Sequence, residues 1–196
     1  MHMSLIVVGN GDLEEMMNPF WQDLEVEEYC VGEVSDYDKQ RMMQYYSNKD
    51  GVNYRSFASC YQKHGQDWNF GQYRKDKDGV WREYSRSNPD MQWDWYEVGG
   101  RWPGRLRLKE GAEPILGLNF SWGWREDKNA MDKFIAEHPN CCDAALKGDV
   151  ANLDELTSYA ILKDGEWIEL GDDEKVADYL KDVDDDTVLT CVDYHM

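Results

Sequence analysis

Ser4-Leu-Ile-Val-Val-Gly9, near the start of the chain, and Thr187-Val-Leu-Thr-Cys-Val-Asp193, near its end, set the architecture of the protein. Both are rich in β-branched residues and bounded by turn formers or by the chain end, so each reads as a buried strand. The two are expected to pair side by side at the centre of one sheet. After the first of these, Gly9-Asn10-Gly11 turns the chain and Asp12 caps a short helix over Leu13 to Met17, with Glu14 and Glu15 favourable in its first turn and Pro19 ending it. Ser35 or Asp36 caps a second helix through about Tyr46, and Tyr54 to Lys63 reads as a weaker third. Residues 65–87 are polar, aromatic and turn-rich, with Lys77-Asp78-Gly79 as a hairpin turn, and read as a loop or inserted lobe.

Beyond it, Gly104 to Lys109 alternates like a half-buried strand, and Lys128 to Glu137 is helical up to Pro139. Tyr159 to Leu162 and Glu166 to Leu170, joined through Asp164-Gly165, form a hairpin, and Asp172 or Asp173 caps a helix through Leu180. The expectation is one α+β domain over residues 1–196. Its sheet is mixed or antiparallel with the N- and C-terminal strands central, helices pack on it, and an irregular aromatic-rich insertion interrupts it.

Charge narrows the function classes. The 196 residues carry 40 Asp and Glu against 21 Lys and Arg, a net charge of −19. A chain this acidic repels phosphate backbones, so direct binding of duplex nucleic acid is not expected. The apolar run Leu5 to Val8 is far too short for a membrane span or a signal-peptide core, and no membrane association is expected. Five cysteines without C-x-x-C spacing point to a reduced, cytoplasmic setting. The charge is also uneven: residues 91–109 carry +2, whereas residues 110–196 carry −15. A short cationic, tryptophan-rich segment is embedded in an anionic protein.

Several motifs fail on inspection. Gly9-Asn10-Gly11 opens like a dinucleotide fingerprint, but Glu14 stands where the third glycine belongs. Asp182, Asp184 and Asp186 have calcium-loop spacing, but Thr187 replaces the required glycine. His138 with Cys141-Cys142 lacks further ligands at sensible spacing. No metal and no cofactor is assigned.

The most specific stretch runs from Asn88 to Gly104. Trp93, Trp95, Tyr96 and Trp102 supply a large rigid surface, Gly99-Gly100 permits close backbone approach, and Arg101 offers a planar guanidinium to a carboxylate or phosphate. Asp94 is the natural internal partner for that arginine. Two readings follow. Trp93, Asp94, Trp95, Tyr96, Gly99, Gly100, Arg101 and Trp102 form a ligand site, or they form an aromatic mini-core with an Asp94–Arg101 ion pair. Asp193 and His195, two apart on the last strand, are weak catalytic candidates, with Lys147-Gly148-Asp149 and Arg101 expected to converge on them.

This block resembles the "WDWY-x-x-GGRW-x-G" element of a bacteriophage and mobile-element protein family with no assigned activity. The Ala145-Leu-Lys147-Gly148-Asp149 stretch and the Asp185-Asp186-Thr187 to His195 ending agree with it in order. The resemblance implies a phage or mobile-element origin and action in the host cytoplasm. Taken with the charge, it suggests an acidic interaction protein of anti-defence type that inhibits or redirects a host or defence protein with a basic surface. The alternative is a binder or hydrolase of a nucleotide-like, phosphate-containing small molecule.

Overall fold

The computed structural model describes residues 1–65, 67 and 72–196. Its elements begin with β1 (His2–Val8), α1 (Leu13–Met17), β2 (Tyr29–Glu33), α2 (Asp36–Asp50), α3 (Phe57–His64), β3 (Gln72–Lys75), β4 (Trp81–Ser85) and β5 (Trp95–Val98). They continue with β6 (Leu106–Arg107), α4 (Trp122–Glu126), α5 (Lys128–Glu137), β7 (Cys141–Cys142), β8 (Ala144–Leu146), β9 (Ala160–Lys163), β10 (Glu166–Glu169), α6 (Val176–Tyr179) and β11 (Val188–His195). The chain divides into two compact units, Met1–Leu24 with Asp90–Met196, and Glu25–Pro89.

In the first unit β1 and β11 lie antiparallel, paired from His2 opposite His195 to Val8 opposite Leu189. β9 runs parallel to β1 on its other side, and β10 folds back on β9. The resulting order, β10-β9-β1-β11-β5, is a mixed sheet with the first and last strands central, as their composition demands. The β9–β10 turn is the Asp-Gly type: Asp164 and Gly165 take φ of 53° and 78°.

β11 outruns its neighbours on the far side. β8 pairs with its first residues, from Val188 to Thr190, and β5 with its last, from Val192 to His195. The two short strands meet at Cys191, whose N–H donates to the Asp143 carbonyl and whose carbonyl receives the Gly99 N–H, both at 2.8 Å. One edge of β11 is therefore completed by two strands with a seam between them.

Both faces of this sheet are covered, which explains why β1 is apolar at consecutive positions. Ile6, Val8, Ile161, Leu189 and Cys191 pack on one face with Leu106, Val150 and Leu180. Leu5, Val7, Leu162, Val192 and Tyr194 pack on the other with Met17 and Phe20 of the α1 region. The first face changes character along its length. Beyond Ile6 and Cys191 the alternating positions are Ser4, His2, Asp193, His195, Glu97 and Trp95, so its apolar floor ends in a polar strip.

The second unit has its own antiparallel sheet, β2-β4-β3, and its own core of Val34, Tyr46, Phe57, Cys60 and Tyr73. Ser35 caps α2 and Gly51 ends it at φ 67°. Asp50 at that end accepts from Tyr54, Lys63 and His64, tying α2 to α3 and holding its own carboxyl well below the usual range. The stretch 65–87 falls within this unit and contributes β3, β4 and the Lys77-Asp78-Gly79 turn; positions 66 and 68–71 lie outside the described residues.

Two elements are much shorter than the sequence predicts: the strand expected over Gly104 to Lys109 reduces to β6, Leu106–Arg107. The helix expected from Asp172 or Asp173 reduces to α6, with no side-chain cap. Glu174 bends back to accept from the Gly171 N–H at 2.7 Å and from the Tyr179 hydroxyl at 2.6 Å. That local turn takes up the residues a first helical turn would use.

Candidate functional site

The seam on β11 is closed by two carboxylates that solvent does not reach, Asp143 and Asp193, each fully buried. Asp143 accepts from the Gly104 N–H at 2.5 Å and the Asn119 N–H at 2.6 Å. Asp193 accepts from the Arg101 N–H and from His2 Nδ1, both at 3.0 Å. Burying a carboxylate is costly unless its oxygens are matched by donors, and here each oxygen has one. The loop from 99 to 104 is thus pinned from beneath at Arg101 and Gly104.

The two glycines follow from this packing. Gly99 and Gly100 have φ of 68° and 60°. A Cβ on Gly99 would lie 2.3 Å from an Asp143 carboxylate oxygen, and one on Gly100 would lie 2.7 Å from Asp193 Cβ. β5 must leave the sheet where β8 begins, and only glycine turns there without striking a buried aspartate. The Gly99 N–H donates to Cys191 and the Gly100 N–H to Val98 and Asn119. These donors serve the fold, and the expectation that they approach a ligand is corrected.

Above the polar strip lies an open cleft of about 380 Å³, lined by His2, Trp95, Glu97, Arg101, Ser121, Trp122, Gly123, Arg125 and Asp193. Trp95 is 45% exposed and Trp122 71% exposed, so two indoles face solvent at its walls. Arg125 is neutralised, donating to Glu97 at 2.6 Å and to Asn119 at 3.1 Å. Among the described residues the Arg101 guanidinium makes no ion pair. His2 is oriented by Asp193, and its ring centre is 5.8 Å from Trp95 and 5.1 Å from His195. The arrangement offers a planar cation free of a direct ion pair among the described residues, a fixed imidazole and two flat apolar walls, the parts needed to hold an anionic group beside a ring.

The structure separates the residues that the sequence grouped together. Asp94 pairs with His195 Nδ1 at 2.9 Å and not with Arg101, and that hydrogen bond holds the Asp94 carboxyl below its ordinary value. The expected Asp94–Arg101 pair fails because Asp94 lies next to the end of β11, where Trp95 is in register with His195. Trp93 and Tyr96 turn to the opposite face. Trp102, 39% exposed, lies under the Arg105 guanidinium, 5.6 Å from its ring centre. Asp193 and His195 share a face but have separate partners.

The expected convergence of Lys147-Gly148-Asp149 on them does not occur. That turn follows Leu146, opposite Val188 at the other end of β11, and Lys147 bonds Asp185 and the Val183 carbonyl.

Four contributors escape sequence reading. His2 follows from pairing the first and last strands, which puts it opposite His195. Asp143 leaves one trace, a lone charge within Cys141-Cys142-Asp143-Ala144-Ala145. Trp122 and Arg125 leave none, because a loop return from residue 119 brings them to the cleft.

No protein-family model matches the chain, and no match was found among curated proteins or solved structures. No helix of the described residues is long and apolar enough to cross a membrane. Among them no group of three or more His, Cys, Asp or Glu side chains is arranged to hold a metal ion.

Burial pushes the Asp143 carboxyl up to about 6, against the opposing pull of the Asn119 and Gly104 N–H groups. A raised carboxyl binds its proton more tightly in the folded state, so its contribution to stability is full below pH ~4 and is lost as pH rises through ~6. Asp143→Asn cannot ionise, and it sets an amide NH2 against one of two N–H donors. The variant is expected to be less stable than the natural protein, with a penalty about 2 kcal/mol smaller at pH 7 than at pH 4. Urea unfolding of both proteins at the two pH values checks this; a penalty that grows with pH contradicts it.

Proposed function

We propose that the chain binds a small, phosphate-bearing molecule with a planar ring, a nucleotide-like ligand, in the cleft between Trp95, Trp122 and Arg101. The observation that carries this reading is the Arg101 side chain. It is exposed at the cleft and has no ion-pair partner among the described residues, although acidic side chains outnumber basic ones nearly two to one. Its backbone N–H is anchored on buried Asp193, so the guanidinium is presented from a rigid base. A phosphate on Arg101 would leave the ring of the ligand beside an indole, and aromatic stacking on a base contributes ~1–3 kcal/mol.

A second reading rests on the acidic surface. Asp172, Asp173, Glu174, Asp178, Asp182, Asp184, Asp185 and Asp186 are all exposed, relieved within that stretch by Lys175 and Lys181 alone. Such a surface suits a basic host or defence protein in the host cytoplasm, and speeds encounter with it by charge. This is the anti-defence role suggested by the likeness to phage and mobile-element proteins. Capture of such a partner should weaken steeply with salt, and a partner retained unchanged at ~1 M salt, where the Debye length is ~3 Å, contradicts it.

For the ligand reading, Arg101→Ala is the test. Nucleoside monophosphates titrated calorimetrically should bind the natural protein, and the variant should bind them at least roughly tenfold more weakly, the loss of one charge-assisted contact. Unfolding free energy should change by no more than ~0.5 kcal/mol, since the side chain is exposed and Asp94 keeps its partner His195. Equal affinity in the two proteins, or no binding to either, contradicts the reading.

A further inference from the structure

The opposite face of the sheet carries a second cleft, of about 280 Å³, lined by Glu14, Asn18, Trp21, Trp93 and Tyr96. We propose that it is a binding site for a quaternary ammonium group carried by a small molecule. The walls are aromatic and differently inclined. Trp21 and Trp93 are near parallel at 23°, with ring centres 6.3 Å apart, and Tyr96 stands at 87° to Trp93 with centres 4.8 Å apart. Rings meeting at such angles present negative π-faces in more than one direction, the arrangement that attracts an alkylated cation.

The walls are also held in place. Trp93 Nε1 donates to the Met17 carbonyl at 3.0 Å, and the Gln22 N–H donates to the Trp93 carbonyl at 2.8 Å. Trp21 and Trp93 are bridged as parallel backbone neighbours. An aromatic site gains affinity when its rings need no ordering on binding, because that entropy has already been lost in folding.

Charge selects the ligand. Among the described residues no basic side chain lines the cleft, and the exposed Glu14 carboxylate makes no ion pair. Burial raises the Tyr96 phenol, and Glu14 and then Asp12 raise it further, so both carboxylates project negative potential onto the ring that forms one wall. A phosphate-bearing base is disfavoured here because Glu14 repels it. A compact cation with an apolar surface satisfies both the rings and the carboxylate.

The test compares choline with 3,3-dimethyl-1-butanol, its uncharged isostere, by isothermal titration calorimetry on the full chain. Choline should bind with a Kd on the order of 1 mM or tighter, and the isostere at least roughly tenfold more weakly. Raising the salt should weaken choline binding. Glu14→Gln, at an exposed position that leaves folding intact, should weaken choline by about threefold, and Tyr96→Leu by about tenfold. Far-ultraviolet circular dichroism confirms that each variant is folded. Equal affinity for choline and its isostere overturns the proposal, as does undiminished choline binding by Glu14→Gln and Tyr96→Leu. So does the absence of choline binding up to ~10 mM, well above the expected Kd. These readouts do not involve Arg101, so they stand or fall separately from the nucleotide-like ligand.

Discussion

A strand with two short neighbours on one edge must have a seam, and the structure around β11 is built to close it. At Cys191 the ladder passes from β8 to β5, and the Asp143 and Asp193 side chains lie beneath that junction without access to water. A buried carboxylate is tolerated only when donors reach it, and besides the His2 ring the donors are backbone N–H groups of the chain leaving and re-entering the sheet. Meeting that demand shapes the 99–104 loop, requires glycine at 99 and 100, and draws residue 119 back over the sheet end. The position of Arg101 above the polar strip is a consequence of holding its N–H on Asp193.

This constraint gives the Trp-Gly-Arg block a different meaning from the one its composition suggests. It is neither one pocket nor one mini-core. Strand alternation sends Trp95 to one face and Tyr96 to the other, so the block supplies a wall to each of two clefts. The charges divide likewise. The cleft with Arg101 has a guanidinium that makes no ion pair among the described residues, and the cleft with Trp93 has a carboxylate that makes none. One aromatic segment thereby walls two clefts whose unpaired charges are of opposite sign.

What the sequence made legible was local. Ser35 and Asp12 as caps, Asp164-Gly165 as a hairpin turn, and the β-branched runs of β1 and β11 act through neighbours in the chain, so their patterns survive in the primary structure. The pairing of β1 with β11 was also within reach, since both runs require cover on two faces. The partners of Asp94 and Arg101 were not, because they depend on which residue of β11 lies opposite Trp95, a register set by packing far along the chain. Asp143 was hidden for the same reason: its donors come from residues 104 and 119, and no spacing rule connects them. Lys147-Gly148-Asp149 misled because it flanks the correct strand at its other end.

The two buried aspartates should hold the 99–104 loop as firmly as the sheet itself is held. Native-state amide hydrogen exchange measured by nuclear magnetic resonance tests it directly at Arg101, Gly104 and Asn119, the backbone N–H groups bonded to Asp193 and Asp143. If the carboxylates pin the loop, these amides exchange only through global unfolding, at the rate of Leu5 and Val192 in the central strands. Exchange orders of magnitude faster than those strands, at the pace of an ordinary surface loop, would contradict it.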